Sequence, residues 1–394
     1  MDTRDIKIKT GSDFSGVGAF DQALNRLGIE QDKLFACDMD KYARQTYIHN
    51  YGEPKYYPSN VYEREIPKES LDIYMTSPPC QSFSLAGKRK GEDSKNGVLF
   101  YNSHEFIVKN KPRYFIFENV KGLLSDNNGT TFQRWCAYLG GKSVNGNPVI
   151  FPMEESVPYH VYYKVLNAKD YGVPQNRERI FIIGIRDDAD NNFRFPKEEF
   201  LYKRLKDVLE DDVDEKYYLS DKAIQGIINS DFISKKEIIQ DIEKYSACLL
   251  AGGYKDQKCV QVKSATSKGY EEAKEGDSIN LEFPDSKTRR GRVGKGVAQT
   301  LDTGCNQGVW AADHRMDEGL RIRKEGITPC ITTGEPIYTN EPQIRRLTPR
   351  ECFRLIDFPD TFDFSVVSNS QAYKQAGNSI VVAVLEKIIK NLNL

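Results

Sequence analysis

The sequence predicts an α/β fold, a parallel sheet with intervening helices, interrupted by an inserted second module. Three observations predict it. Short apolar runs alternate with longer amphipathic ones through the first half of the chain, and polar residues capable of chemistry stand where those runs end. The texture then changes after about residue 195 and returns near Arg345. Strands alternating with helices imply a parallel sheet, and such sheets hold ligands at the carboxyl ends of their strands.

The first apolar run, Ile6 to Lys9, leads into the Gly-rich GSDFSGVGAF. Phe20, Ala23, Leu24 and Leu27 then recur at helical spacing, with Gly28 as the stop. Leu34 to Cys37 reads as a strand ending at Asp38, and Lys41 to Asn50 as a helix. Leu71 to Thr76 is a strand running into Pro78 and Pro79; Tyr114 to Phe117 is another, ending at Glu118; Arg179 to Ile185 is a fifth. Residues 207–215 (DVLEDDVDE) are acidic and linker-like, Ser220 through Ile242 is helical, and 250–340 is rich in Gly, Thr, Lys and Arg with weak periodicity. Ile380 to Ile389 is an apolar helix, or a helix plus a strand. Residues 1–199 and 345–394 thus read as one domain, with 200–344 inserted into it.

The 394 residues exceed one ordinary core, and 39% hydrophobic with 29% charged is a globular balance. The first ten residues lack an apolar run, so no signal peptide is expected, and no stretch is apolar enough for a membrane span. A net charge of −1 does not advertise a polyanion partner, although a local basic stripe is all one needs. The eight cysteines include no C-x-x-C pair and only four histidines accompany them, which disfavours a metal site. Dispersed, unpaired thiols fit a reducing cytoplasm.

Phe14, Gly16 and Gly18 follow the first strand, where glycines let backbone approach a ligand at a helix N-terminus. A ligand-free tight turn has the same signature. Asp38 ends the next strand about twenty residues on, where a carboxylate can accept from both hydroxyls of a ribose. Cys80 lies in SPPCQSFS, just past a strand and behind two prolines that stiffen the loop. Most lone cysteines fill cores, but this polar, strand-end setting suits a nucleophile. Glu118 in Glu-Asn-Val ends an apolar strand, where desolvation favours the protonated acid; the alternative is a helix N-terminal carboxylate. Arg177 and Arg179, two apart in QNRER, face one side of an extended segment and suit a phosphate or carbonyl oxygen, or else a surface ion pair.

Taken in order, these motifs are more specific than any one of them. A Gly-rich loop, an acid, Pro-Cys-Gln, Glu-Asn-Val, Gln-x-Arg-x-Arg, a variable region, RLTPRE at 346–351 and QAGNS at 375–379 together resemble the bacterial and phage DNA (cytosine-5) methyltransferase family. The resemblance covers 10–195 and 344–390. It implies a Rossmann-like S-adenosylmethionine-dependent methyltransferase sheet as the large domain and a smaller mixed or β target-recognition domain at 200–344.

By that resemblance, Cys80 adds to carbon 6 of a flipped-out cytosine and Glu118 protonates or hydrogen-bonds ring nitrogen 3. Arg179 holds the ring carbonyl, Arg177 a neighbouring phosphate or the Glu118 loop, and Asn119 positions that loop. S-adenosyl-L-methionine, leaving as S-adenosyl-L-homocysteine, is held by Phe14, Gly16, Gly18, Asp38, Met39, Asn60, Leu99, Asn378 and Ser379, with Phe14 and Leu99 on the adenine. Three departures from the family pattern bear on cofactor affinity: Ala19 where a second Gly is usual, Met39 where an aromatic is usual, and Asn60 in place of an Asp.

The implied partner is double-stranded DNA. Arg289, Arg290, Arg292 and Lys295 in the basic run 285–295 are phosphate or guanine contacts, or a solvated loop. Gln81 and Ser84 beside the nucleophile also face DNA, and the loop 87–91 closes over it. Residues 292–304 resemble 321–334, which reads equally as two similar turns or as a doubled DNA-facing loop. The Thr-Leu pair expected to contact the flipped nucleotide's backbone is Thr300-Leu301 or its counterpart Cys330-Ile331. A monomer is implied, with a cognate restriction endonuclease as a system partner without stable contact. Restriction–modification, phage self-protection and gene regulation are equally compatible roles. An RNA methyltransferase shares the motifs but not a long basic insertion; a non-catalytic relative should have lost Cys80 or Glu118; a nicotinamide oxidoreductase explains neither Pro-Cys-Gln nor Glu-Asn-Val.

Overall fold

The computed structural model describes residues 7–79, 99–189, 192–219, 259–274, 276–283, 286, 288–301, 303–304, 307–310 and 344–394. Cys80, Gln81, Ser84, the loop 87–91, the helical stretch expected over 220–242 and the pair Cys330-Ile331 lie outside the described residues. The chain divides into two compact units. The first comprises Met1–Lys203, Thr300–Cys305 and Pro349–Leu394, and the second Arg204–Gln299 and Asn306–Thr348. Thr300–Cys305, read from sequence as part of the insertion, therefore clusters with the first unit.

The first unit is built on β1 (Ile8–Asp13), β2 (Gln31–Cys37), β3 (Ile73–Thr76), β4 (Tyr114–Val120), β5 (Ser143–Val144), β6 (Asn147–Pro148), β7 (Tyr159–Asn167), β8 (Gln175–Asn176) and β9 (Glu178–Arg186). All but β8 form one sheet in the order β2-β1-β3-β4-β9-β7-β5-β6. Between its first four strands every pairing is parallel. β9 runs antiparallel to both β4 and β7, which corrects the all-parallel expectation. The cause is the connection 168–177, too short for the crossover of a dozen or more residues that a parallel neighbour requires. β7 itself went unread: its burial alternates only at its start, and Tyr162 through Val165 are all half-buried.

The central strands β3 and β4, and β9 from Ile180 onward, are almost continuously buried, as in a sheet covered on both faces. Helices α1 (Ala19–Arg26), α2 (Lys41–Tyr51), α3 (Leu99–Asn110) and α4 (Thr130–Leu139) fill the connections. Phe100 of α3 stacks on Trp135 of α4 with ring centroids 4.1 Å apart, and both pack in the cluster holding Phe115, Phe117 and Ile182. The C-terminal helices α5 (Pro349–Arg354), α6 (Asn369–Asn378) and α7 (Val382–Lys390) return to the N-terminal half. α7 packs on α1, and Thr46 of α2 donates to the Gln375 side chain of α6 at 3.1 Å.

The second unit contains a hairpin of β10 (Cys259–Lys263) and β11 (Tyr270–Lys274). It also holds an antiparallel sheet in the order β13 (Val293–Gly294), β12 (Ser278–Asn280), β15 (Gln307–Trp310) and β16 (Ile344–Arg346), and a short strand β14 (Ala298–Gln299). Among the described residues no helix is long and apolar enough to cross a membrane.

Candidate active site

The loop after β1 is held in an unusual shape. Phe14 has φ 58°, a conformation that a bulky residue rarely holds, and Gly16 and Gly18 follow at 54° and 85°. A side chain at Gly18 would come within 2.3 Å of the Tyr51 ring, whereas a Cβ at Gly16 would meet nothing within 4 Å. The loop therefore packs against α2 on one side and is open at Gly16. Asp38, at the end of β2, accepts from the Gly16 amide at 2.8 Å through one oxygen and from the Asp40 amide at 2.8 Å through the other. Burial pushes the Asp38 carboxyl above its ordinary range, against the pull of these backbone bonds. Each oxygen keeps a second acceptor position, so Asp38 pins the loop and can still receive ribose hydroxyls.

The remaining cofactor candidates lie on the same unit. Met39, beside Asp38, is 83% exposed and offers an open thioether face. Asn60 caps a turn, accepting from the Tyr62 amide at 3.0 Å and donating to Glu63 at 2.8 Å. Leu99 is buried at the start of α3; Asn378 is exposed at the end of α6; Ser379 is buried. A carboxylate with spare acceptor positions, an open backbone loop and an exposed soft side chain fit S-adenosylmethionine.

At the other strand ends, Glu118 is only 8% exposed and meets Arg179 Nε at 3.1 Å. Burial raises the Glu118 pKa, opposed first by Arg179 and then by Arg177. Asn119 is buried, accepts from the Val120 amide at 2.9 Å and donates to the Pro78 carbonyl at 3.4 Å. Ser77 donates to the Phe14 carbonyl at 3.4 Å. The segment leading to Cys80 is thus tied to the glycine loop on one side and to the Glu118 strand on the other.

Arg177 and Arg179 both lie near Glu118, whose carboxyl pKa each pulls downward, but they differ in burial and in partners. The Arg177 amide bonds back to the Gln175 carbonyl at 3.1 Å, a tight turn that breaks the pleat before β9 begins at Glu178. Arg177 is 3% exposed, and its guanidinium donates to the carbonyls of Leu301, Gly377 and Ser379 at 3.1, 3.0 and 2.8 Å. It frames the site and does not present itself to a phosphate. Thr300 is fastened beside it, its hydroxyl donating to the Asn176 carbonyl at 2.8 Å.

In the second unit the basic run sorts by burial. Arg292 is 1% exposed and donates to the Asn280 carbonyl at 3.1 Å and to the Phe283 carbonyl, so it is a framework residue and not a DNA contact. Glu271 fixes the same loop, accepting from the amides of Gly291, Arg292 and Val293 at 2.8, 3.2 and 3.3 Å. Arg289 pairs with Glu282 at 2.7 Å, while Arg290 and Lys295 are exposed. Sequence reasoning also passed over Asp13, Arg64 and Tyr74, a buried polar group under the glycine loop; its members are too far apart in the chain to form a motif.

The sequence model of a family described as C-5 cytosine-specific DNA methylase matches residues 8–393. The orphan methyltransferase M.SPRI of Bacillus phage SPR is 31% identical, over 98% of this chain and 97% of that protein. The type II methyltransferase M.HhaI of Haemophilus parahaemolyticus is 30% identical, over 96% and 92%. Among solved structures, the Dnmt2 methyltransferase of S. pombe has the same fold, with a TM-score of 0.55 at 16% identity over 97% of each chain. A site of this geometry, on a sheet of this order, in a chain matched over nearly its whole length, has one consistent reading: the chain belongs to the C-5 cytosine-specific DNA methylase family.

Proposed function

We propose that Cys80 and Glu118 work on opposite edges of a cytosine flipped out of double-stranded DNA, so that carbon 5 can be methylated. The chain is a DNA cytosine methyltransferase, and S-adenosylmethionine supplies an electrophilic methyl group and leaves as S-adenosylhomocysteine. The Cys80 thiolate forms a bond to carbon 6, and the electron pair of the 5,6 double bond shifts to carbon 5. Glu118, whose acid form burial favours, gives its proton or a hydrogen bond to nitrogen 3, so charge does not build up on the ring. Carbon 5 then bonds the methyl group, loses its proton to a base, and expels the Cys80 sulfur as nitrogen 3 gives back any proton it took to Glu118, restoring both the ring and the acid. Arg179 orients Glu118 and reaches the ring carbonyl, while Arg177 holds the surrounding backbone.

The observation that carries this reading is the pair of buried Glu118 with half-buried Arg179, joined through Asn119 to the segment that ends one residue before Cys80. Sequencing DNA from a methylation-free host that expresses the chain gives the target site. An oligonucleotide carrying that site with 5-fluorocytosine, incubated with S-adenosylmethionine, should then yield a denaturation-resistant complex, because fluorine cannot be lost as the proton is. The adduct should map to the Cys80 peptide. An adduct on another cysteine, or none from an enzyme that methylates the unmodified site, would sink the assignment.

Residues 1–199 with 345–394 act as the catalytic domain and 200–344 as the target-recognition domain. Arg290 and Lys295 are the described basic-run residues best placed for phosphate. Arg290→Ala is expected to weaken binding across all sequences and to lower the salt dependence by about one counterion. An unchanged slope in a salt titration of DNA binding would remove Arg290 from the interface. We take the chain to act as a cytoplasmic monomer; the type II names among the relatives support a restriction–modification setting, with an endonuclease as a system partner without stable contact, and the orphan phage methyltransferases among them support phage self-protection or regulation equally.

A further inference from the structure

We propose that Asp13, Arg64 and Tyr74 form a buried knot that sets the adenine end of the cofactor site, positioning the residues there without touching the ligand. The proposal rests on the reading that Phe14, Asn60 and Leu99 line that end. Arg64 Nε donates to Asp13 Oδ1 at 2.9 Å, and the Tyr74 hydroxyl donates to Asp13 Oδ2 at 2.6 Å. The ion pair is almost dry, with side-chain exposures of 3% for Arg64 and 0% for Asp13.

A dry ion pair is weak as a source of stability, since apolar residues of similar volume do as well or better. Its use is directional: it fixes one geometry where apolar contacts tolerate several. Here it joins the three elements that carry the adenine contacts. Asp13 ends β1 and immediately precedes Phe14, whose positive φ must be held by its surroundings. Arg64 closes the turn that Asn60 caps. Beneath them, the Arg64 guanidinium lies 4.6 Å from the centroid of the Phe106 ring, and Tyr74 stacks on the same ring at 4.1 Å. Phe106 belongs to α3, the helix that Leu99 opens. Tyr74 lies in β3, which runs on to residues 77–79 and so to Cys80. One hydrogen-bonded pair thereby fixes the spacing of loop, turn and helix around a single ligand face.

The test compares the wild type with Tyr74→Phe and with the double variant Asp13→Leu/Arg64→Met, which leaves no charge buried alone. Calorimetric titrations use S-adenosylhomocysteine and 5′-methylthioadenosine, which lacks the amino-acid half, alongside melting curves. The double variant should melt within about 5 °C of the wild type, yet bind both ligands about tenfold or more weakly, the equivalent of one good hydrogen bond's worth of misalignment. Tyr74→Phe, which keeps the ion pair, should show a smaller loss for both. Wild-type dissociation constants in the folded variants would overturn the proposal, as would a loss confined to S-adenosylhomocysteine. Should the double variant fail to fold, Tyr74→Phe alone decides by the same two outcomes. Failure of the wild type to bind either ligand would instead remove the cofactor-site reading itself.

Discussion

Replacing Glu118 with glutamine is expected to lower kcat by roughly 10²- to 10⁴-fold, the usual worth of a positioned general acid. The amide keeps the shape of the side chain but has no proton to transfer, so S-adenosylhomocysteine binding and DNA binding should survive. The pH profile distinguishes this from a merely structural loss. Burial raises the Glu118 pKa even with Arg179 and Arg177 nearby. Its acid form therefore persists to higher pH than in an exposed glutamate, and is lost as pH rises through that raised value. The wild-type rate should carry a limb that falls on the alkaline side of this ionisation, and Glu118→Gln should lack it. A variant retaining both the wild-type rate and that limb would exclude the acid role.

The second large effect is expected at Arg177. Arg177→Met deletes a guanidinium that serves three buried backbone carbonyls, from Leu301, Gly377 and Ser379. Hydrogen bonds to a charged group are worth about 1.5–3 kcal/mol each, and sharing one cation makes them less than additive, so the loss is on the order of 3–5 kcal/mol. That corresponds to a fall of about 10 °C in the melting temperature. Arg177→Lys should rescue little, because an ammonium point charge does not span the fork of contacts. A melting temperature within about 2 °C of wild type for Arg177→Met would show the three carbonyls to be satisfied another way.

The family and the fold class were legible in the sequence because the residues that carry them are local. Gly16, Asp38 and Glu118 each stand at the end of an apolar run, and a strand end can be read from a few neighbours. What escaped depended on distant partners or on a broken period. Arg177 and Arg179 were read as a matched pair, and nothing local foretold that Arg177 would be buried on the carbonyls of Leu301, Gly377 and Ser379, 124 to 202 residues further along. Arg292 was counted among the DNA contacts of the basic run, although its side chain is buried on the carbonyls of Asn280 and Phe283. Asp13 finds its partners 51 and 61 residues further along the chain, a spacing that no motif reports. Asp38 shows a subtler gap: its position was readable, but not that the backbone already occupies one acceptor site on each oxygen.

The reversed direction of β9 explains the order in which the functional segments are written along the polypeptide. The glycine loop and Asp38 come after the strands that present them, and Glu118 lies among the last residues of β4, because those strands climb toward the reacting edge of the sheet. β9 descends from that edge, so its contribution falls at the start of the strand, which is why Arg179 precedes IFIIGI. Val120 and Arg179 are register partners, and the match leaves no slack. One residue inserted between Arg179 and the middle of β9 would turn the guanidinium to the opposite side of the sheet. Two would carry it about 7 Å along the strand, beyond the reach of Glu118. Length changes in this strand are therefore expected to be silent in composition and ruinous to chemistry.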